Sequence, residues 1–293
     1  MYEPETVSLD LPIDAWVGAA QNNPATYRSR QVTHILLAAI GLTPDLQESM
    51  ILKGGTLMML AYASPRGTQD VDFTVAVSPE PFAEDLTEKL NPAMQRAASQ
   101  LGYVDIVCRI QSLKRLPRPS TFETATGPAL QITIGYAKRG TNDEKRLVDK
   151  QASNVLRVDL SFKDPVIHTA GAKLERPAVT IRAYALEDVI GEKLRALLQQ
   201  PIRNRHRRQD IFDIAWLLDH SNLTDEDKKR IHDSLIGKAE ARDVECSIDG
   251  FDDPEVKRRA SADWNTLDLE VANLPDFETL YARVREFYRD LPW

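Results

Sequence analysis

The chain has 293 residues, of which 42% are hydrophobic and 28% are charged, and its formal net charge is −7. This length accommodates one large domain or two medium ones, and the apolar content is sufficient for a sizeable core. The negative balance excludes a protein that attracts nucleic acid through its whole-chain charge, so any RNA or DNA contact has to come from local basic patches.

The cysteines, histidines and apolar runs exclude further classes. Cys108 and Cys246 lack CxxC spacing, and the five histidines show no HExxH or HxH pattern, so a zinc site is not expected. No run of about 18 apolar residues predicts a membrane span, and the acidic start of the chain lacks the features of a signal peptide. We therefore expect a cytoplasmic protein with no membrane partner.

In chain order, the first part alternates helices and strands. The segment 1–25 is polar and receives no assignment, and the charged segment 138–150 is predicted to be a hairpin connection or loop. Apolar spacing predicts helices over 26–40, from Thr56 to Ala63 and over 80–100, and strands over 70–77, 103–110, 129–137 and 155–162. This order favours an α/β fold with a mixed sheet over a doubly wound Rossmann sheet.

The periodicity becomes helical from Leu186 onward. The acidic, irregular stretch 241–275 receives no assignment. Helices are predicted over 186–200, 208–220, 224–238 and 276–290. We therefore expect two domains, at 1–180 and 181–293, the second of them helical.

A glycine pair marks the candidate phosphate-binding turn. Lys53-Gly54-Gly55-Thr56 ends a short apolar run and begins a helix. Glycines before a helix N-terminus leave backbone amides open to a phosphate, and the helix dipole favours the negative charge. We assign Gly54, Gly55 and Thr56 to phosphate binding and add Lys53 as a further nucleotide-binding residue.

The next predicted strand opens with Asp70-Val71-Asp72. Side chains at i and i+2 of a strand lie on one face, so both carboxylates can bind the same divalent ions. Metal-assisted phosphoryl transfer needs carboxylates of this kind beside the triphosphate. Each feature alone is common on solvated turns and strands, but together they predict a Mg²⁺-dependent site for a nucleoside triphosphate (NTP).

These residues also carry a family resemblance. The segment LKGGT at 52–56 and the segment RGTQDVDF at 66–73 resemble the first motif of the AbiEii/AbiGii-type toxin nucleotidyltransferases, which include the MenT toxins. That family belongs to the DNA polymerase β-like nucleotidyltransferase superfamily. A helical Lys193 followed by the Asp-x-x-Asp pattern at 210–213 resembles its second motif. The resemblance implies a polymerase β-like mixed sheet with a helical C-terminal domain.

The resemblance implies roles for individual residues. Asp70, Lys193 and Asp213 match positions expected to be essential in the family. Lys193 would offset triphosphate charge as a mobile point cation. Asp210 shares a helix face with Asp213 and can orient Lys193. We assign Asp210 and Arg66 to nucleotide binding.

Two more positions take their roles from the resemblance. Asp159 lies on a strand about where superfamily members place a third carboxylate, which can activate an acceptor hydroxyl or bind a second metal. Thr68 lies beside the site at a position sometimes reported as a phosphorylation point in the family.

The resemblance implies a toxin of a toxin–antitoxin or phage-defence pair. Such an enzyme transfers a nucleoside monophosphate (NMP) from an NTP to an acceptor, with the tRNA 3′ end implied as acceptor and a cognate antitoxin as protein partner. Two alternatives stay open: a nucleotidyltransferase that modifies a protein hydroxyl or a small molecule, and a non-catalytic nucleotide-binding partner protein. Basic residues within 203–208 and within 114–150 are candidates for contacts to RNA phosphates.

Overall fold

The computed structural model describes residues 7–293. The first six residues lie outside the described residues. They belong to the predicted N-terminal domain and to the acidic start that is predicted not to be a signal peptide. The chain divides into two compact units. The first unit takes the chain up to Ala61 together with Thr68–Asp164 and Ala170–Ala183, and the second takes Tyr62–Gly67, Pro165–Thr169 and Tyr184–Trp293. Between residues 7 and 293, no helix has the length and apolar character needed to cross a membrane.

The first unit is built on an eight-stranded sheet and six helices within the described range. The strands are β1 Val7–Leu11, β2 Met50–Lys53, β3 Asp70–Val75, β4 Ile106–Leu116, β5 Ala129–Lys138, β6 Val155–Phe162, β7 Thr169–Leu174 and β8 Val179–Tyr184. The helices are α1 Ile13–Gly18, α2 Pro24–Gly41, α3 Pro44–Ser49, α4 Gly54–Ala61, α5 Pro79–Gln100 and α6 Asn142–Val148.

The sheet is mixed, as the sequence predicts. Its order is β1-β7-β8-β2-β3-β6-β5-β4. β1 runs parallel to β7, β2 to β8 and β3 to β6, whereas the β2–β3, β4–β5 and β5–β6 pairs are antiparallel. The strands that carry the predicted site residues, β2, β3 and β6, are therefore direct neighbours in the sheet.

Helix α2 shows why the predicted helices of the first unit form. Asn23 caps it by accepting a hydrogen bond from the Thr26 amide, and Pro24 occupies its first turn, where no amide is needed. All residues from 31 to 40 are buried, because this part of the helix is apolar on nearly every side. The predicted helix over 26–40 is thus confirmed, with a start two residues earlier.

The second unit is helical, which confirms the predicted helical character of the C-terminal part. Thr224 and Asp227 form a reciprocal capping box at the start of its longest helix. Its helices are α7 Leu186–Leu198, α8 Gln200–Arg203, α9 Arg208–His220, α10 Asp225–Glu240, α11 Pro254–Ser261 and α12 Phe277–Arg289.

Several elements differ from the prediction. The segment 142–148, predicted to be a connection or loop, forms α6, where acidic residues in the first turn and basic residues in the last turn complement the helix dipole. β4 starts at Ile106 and extends to Leu116 instead of ending at residue 110. β1, α1, β7 and β8 had no assignment, because their short segments lack a sustained apolar period.

Candidate active site

Gly54 lies directly against the carboxylate of Asp72. It follows β2 with a φ of +68°, a conformation that glycine adopts without strain. A Cβ atom at this position would be 2.1 Å from Oδ2 of Asp72, closer than any real contact. Only glycine satisfies both conditions, so the first residue of α4 brings its backbone beside one of the two predicted metal ligands.

Gly55 has a comparable relationship with Thr68. A Cβ atom on Gly55 would lie 2.8 Å from the Thr68 Cβ and 2.9 Å from its hydroxyl. The Thr68 hydroxyl in turn donates a long hydrogen bond of 3.4 Å to the backbone carbonyl of Asp70. The segment that leads into β3 therefore packs closely on the second glycine of the turn.

The Thr56 side chain connects α4 to β3, the strand of the two predicted metal ligands. Its hydroxyl donates a 2.9 Å hydrogen bond to the backbone carbonyl of Asp70, and the residue is only 2% exposed. The hydroxyl thus fixes the start of β3 in this structure. A contact from Thr56 to a phosphate would accordingly come from its backbone amide, at the N-terminal turn of α4.

Asp70 and Asp72 alternate with buried apolar residues along β3. Val71 and Phe73 are buried, whereas both aspartates are partly exposed. This alternation places the two carboxylates on one face of the strand. In the parallel pairing of β3 with β6, Asp72 lies opposite Asp159.

Asp159 is the third carboxylate on this part of the sheet. Burial, followed by the nearby charge of Asp70, raises the pKa of the Asp159 carboxyl, while a hydrogen bond from the Gln131 side chain acts in the opposite direction. Gln131 lies directly opposite Asp159 in the β5–β6 pairing. Asp159 therefore lies beside a polar side chain, and its carboxyl has a pKa above the ordinary value.

Lys53 lies opposite Asp72 in the antiparallel β2–β3 pairing. Its ammonium group is 3.2 Å from Oδ2 of Asp164, and both side chains are largely buried. Asp164 was not predicted as a site residue, because it follows β6 and belongs to neither motif. Lys53, predicted to bind nucleotide, is thus held by an ion pair at the base of the glycine turn.

The donor set of Asp70 and Asp72 fits a Mg²⁺ ion. Two carboxylates from one strand are hard oxygen ligands, and protein Mg²⁺ sites commonly consist of one or two carboxylates completed by water and substrate phosphates. Within residues 7–293, no group of three or more acidic, histidine or cysteine side chains is arranged to hold a metal. Asp159 therefore does not complete a three-residue cage with the other two.

In the second unit, Lys193 is buried between two carboxylates of α9. Its Nζ lies 2.8 Å from Oδ1 of Asp210 and 2.7 Å from Oδ2 of Asp213. The two aspartates are three residues apart and share one face of the helix. The predicted contact of the lysine with the Asp-x-x-Asp motif is present, and it engages both acids.

Arg66 is the second cation on Asp213. Its Nε and Nη2 donate to the two carboxylate oxygens of Asp213, each at 2.9 Å, and its Nη1 lies 3.3 Å from a Glu270 oxygen. Burial by itself would raise the pKa of the Asp213 carboxyl, but the charges of Lys193 and Arg66 outweigh it and hold that pKa below its ordinary value. Asp213 thus positions two cations.

Asp210 differs from Asp213 in having an unused oxygen. Its Oδ2 is buried and accepts no hydrogen bond from the described part of the chain, and Nη1 of Arg207 is 3.9 Å away. A buried carboxylate oxygen without a donor is costly unless a bound group or water satisfies it. This oxygen is therefore available to a hydrogen-bond donor of a ligand.

Comparisons with known proteins agree with these two motifs. The chain matches the family described as nucleotidyl transferase AbiEii toxin, type IV TA system, over residues 35–283. Among solved structures, the nucleotidyltransferase toxin MenT4 from Mycobacterium tuberculosis H37Rv has a TM-score of 0.56 at 14% identity, covering 94% of this chain and 89% of that one. A protein from H. pylori described as a nucleotidyltransferase has a TM-score of 0.51 at 16% identity, covering 89% and 92%.

No curated protein matches the chain. At identities this low the two solved structures establish a shared fold, which confirms the predicted nucleotidyltransferase architecture. The family match spans most of the chain and includes both motifs, so it carries the assignment beyond the fold. The chain belongs to the AbiEii family of nucleotidyl transferase toxins of type IV toxin–antitoxin systems.

Proposed function

We propose that this toxin transfers an NMP from a Mg²⁺-bound NTP to the 3′ end of a tRNA and releases pyrophosphate. The observation that carries the proposal is the close approach of Gly54 to Asp72, since a Cβ there would lie 2.1 Å from the carboxylate. A phosphate-binding turn and a metal-binding carboxylate are thereby adjacent. This adjacency is what nucleotidyl transfer requires of a protein.

Asp70 and Asp72 would hold the Mg²⁺ ion. The ion would supply positive charge that offsets the charge of the triphosphate and of the leaving pyrophosphate. The backbone amides of Gly54, Gly55 and Thr56 would hold phosphate oxygens at the N-terminal turn of α4, where they are free of intrahelical partners. The Thr56 hydroxyl supports this arrangement by fixing the Asp70 carbonyl.

Asp159 would accept the proton of the acceptor hydroxyl. It lies opposite Asp72 in the β3–β6 pairing, so an acceptor hydroxyl next to the bound triphosphate would lie near the Asp159 carboxylate. Its raised pKa makes it a better proton acceptor than an ordinary aspartate. Gln131, which lies directly opposite in the β5–β6 pairing, would help to keep the carboxylate in one orientation.

Lys193 would offset the negative charge of the triphosphate. Two of its three donors engage Asp210 and Asp213, which leaves one donor direction for a phosphate oxygen. Arg66 shares Asp213 with it, so the nucleotide-binding role of Arg66 is exerted through the placement of this cluster. Oδ2 of Asp210 would accept a hydrogen bond from the nucleotide.

In the cell, we expect the toxin to act in the cytoplasm on tRNA and to be neutralised by a cognate antitoxin, as in other toxin–antitoxin pairs. The proposal is tested by incubating the protein with each α-labelled NTP, Mg²⁺ and total tRNA, and following the label on a denaturing gel. Label on tRNA supports the proposal. Label on protein or on a small molecule assigns a different acceptor, and no label with any acceptor indicates a non-catalytic nucleotide-binding protein.

The matched variants for this experiment are Asp70→Ala and Asp10→Ala. Asp10 is an exposed carboxylate on β1 of the same sheet, away from the motif. Asp70→Ala is expected to abolish transfer with an unchanged fold, because the side chain is partly exposed and packs in no core. Asp10→Ala is expected to keep full transfer, and an active Asp70→Ala protein would refute the metal-site assignment.

A further inference from the structure

The connection between α8 and α9 carries a concentration of positive charge that the proposed site leaves unused. Residues 203–208 include four arginines and no acidic residue, in a chain whose net charge is −7. We call residues 203–208 the arginine loop. Its first five residues are all exposed, and three of them are arginines.

The side chains of the arginine loop are short of partners. Those of Arg203, Arg205 and His206 form no hydrogen bond or ion pair with any residue the structure describes. Exposed arginines elsewhere in the same unit are paired, as in the contacts of Arg258 with Glu255 and of Arg283 with Asp219. Clustered cations without counter-charges repel one another, and a polyanion relieves that repulsion.

The backbone of the arginine loop is nevertheless fixed by a buried glutamine. Gln200 is fully buried, and its carbonyl accepts from the Arg205 amide at 3.1 Å. Its side-chain oxygen accepts from the Arg207 amide at 2.8 Å. Its side-chain nitrogen donates to the carbonyls of Leu197 and Val256, so the glutamine itself cannot turn freely.

A second anchor acts at the tip of the loop. Asn204 has a φ of 48° and ends α8 in the left-handed conformation, which asparagine tolerates better than most residues. Its side-chain oxygen accepts a 2.8 Å hydrogen bond from Arg259 of α11. The loop therefore presents exposed cationic side chains on a backbone held by hydrogen bonds, which lowers the ordering cost of binding.

The loop continues directly into the helix of the charged cluster. Arg208 is the first residue of α9, whose Asp210 and Asp213 hold Lys193. The Nε of Arg208 is buried and finds no hydrogen-bond acceptor within residues 7–293. A chain of phosphates on the loop would thus lie beside the cluster that we assign to the NTP.

We propose that the arginine loop binds the phosphate backbone of the acceptor RNA. This inference rests on the proposed function for its choice of partner. Guanidinium groups match phosphates through paired hydrogen bonds and stack on unpaired bases, and single-stranded RNA ends offer both groups. An acidic protein surface would satisfy the charge alone.

The test measures equilibrium binding of deacylated bulk bacterial tRNA by fluorescence anisotropy over a range of salt concentrations. The variant Arg203→Ala/Arg205→Ala is compared with Arg258→Ala/Arg283→Ala, which removes the same charge from paired positions in the same unit. The loop variant is expected to bind tRNA at least about fivefold more weakly, with the slope of log affinity against log salt reduced by about 1.4 to 1.8. The control is expected to resemble the parent protein.

Two results would overturn the inference. One is a loop variant whose tRNA affinity and salt slope equal those of the control. The other is poly-glutamate that displaces tRNA at equal charge concentration and loses its own binding in the loop variant, which would assign the loop to an acidic protein.

Binding of tRNA and transfer of NMP are measured separately, so that failure of one proposal can be distinguished from failure of the other. If Asp70→Ala still transfers NMP, the proposed function fails while the binding result stands. If the loop variant binds tRNA normally and Asp70→Ala is inactive, only the arginine-loop inference fails.

Discussion

Lys193 and Asp213 form a buried ion pair, with 2.7 Å between Nζ and Oδ2 and a carboxylate that has no exposed surface. Arg66 contacts the same carboxylate through two nitrogens at 2.9 Å. A buried charge is tolerated only when its partners are in place. Asp213 therefore fixes the positions of two cations, and its own essential role would follow from theirs.

Lys193→Ala is expected to impair both transfer and stability. Loss of one preorganised electrostatic contact should lower the transfer rate by about 10²–10³. Asp210 would lose its only hydrogen-bonded cation in the described chain, and the free energy of unfolding should fall by about 3 kcal/mol. Urea unfolding and single-turnover transfer measure the two effects.

Lys229→Ala, at an exposed position on α10, serves as the control and should leave both quantities unchanged. Lys193→Arg separates charge from geometry, since it keeps the cation but not the compact ammonium group. A rate loss below about twofold in Lys193→Ala would show that the lysine plays no part in triphosphate handling.

Gly54→Ala should disable the site with little global unfolding. The added methyl group would collide with the Asp72 carboxylate and would strain a backbone at a φ of +68°. Because Asp72 must then move, transfer and Mg²⁺ affinity should both fall by at least about tenfold. Gly18→Ala is the matched control in the same unit, because nothing lies within 4 Å of its added Cβ. Normal Mg²⁺ dependence in Gly54→Ala would contradict the role of this close approach.

His34 should make stability depend on pH. It is fully buried, Tyr103 contacts its Nδ1 at 3.2 Å, and the carbonyl of Arg176 contacts its Nε2 at 2.6 Å. Burial is the main cause that lowers the pKa of His34. The contact with the Arg176 carbonyl and the charge of Asp14 act in the opposite direction, and the charge of Arg176 lowers it further.

The free energy of unfolding should decrease as the pH falls. Because the folded pKa lies below the unfolded value of about 6.5, the unfolded chain binds the proton first as the pH falls. The stabilisation is complete above about pH 6.5 and declines below it, at most by about 1.4 kcal/mol per pH unit. Urea unfolding at pH 7.5 and 5.5 should show this decline in the parent and a smaller one in His34→Gln. Equal declines in both proteins would exclude His34 as the cause.

The local elements of the site were predictable because their signals are local. Alternation alone identified the strand of Asp70 and Asp72, and helical period identified α7 and α9. The family resemblance then distinguished Lys193 and Asp213 from the many other charged residues on the predicted helices. These assignments depend on residues a few positions apart.

The partners that hold the site were not predictable, because they come from distant parts of the chain. Glu270 contacts Arg66 from 204 residues away, within a stretch that shows no regular period. Asp164 reaches Lys53 across 111 residues. The hydrogen bond from the Thr56 hydroxyl to the Asp70 carbonyl is likewise a consequence of tertiary packing, and the assignment of Thr56 to phosphate binding did not predict it.

Thr68 is proposed as a phosphorylation point that switches the enzyme off. It packs on Gly55, and its hydroxyl faces the backbone carbonyl of Asp70 at 3.4 Å. A phosphate there would bring about −1.5 to −2 charges next to the carboxylates that we propose as metal ligands, and next to the triphosphate. Thr68→Glu should therefore weaken NTP and Mg²⁺ binding and reduce transfer by about tenfold or more.

Size has to be separated from charge at this position, because Gly55 leaves little space beside the Thr68 side chain. Thr68→Gln has nearly the shape of Thr68→Glu without its charge, and Thr68→Val keeps the shape of threonine without its hydroxyl. Charge gating predicts that the glutamate variant is much weaker than the glutamine variant, with Thr68→Val close to the parent in steady-state transfer assays. If Thr68→Gln is as inactive as Thr68→Glu, bulk against Gly55 is the cause. Full activity and full toxicity of Thr68→Glu would eliminate the switch, since a negative charge at this position would then be compatible with NTP binding.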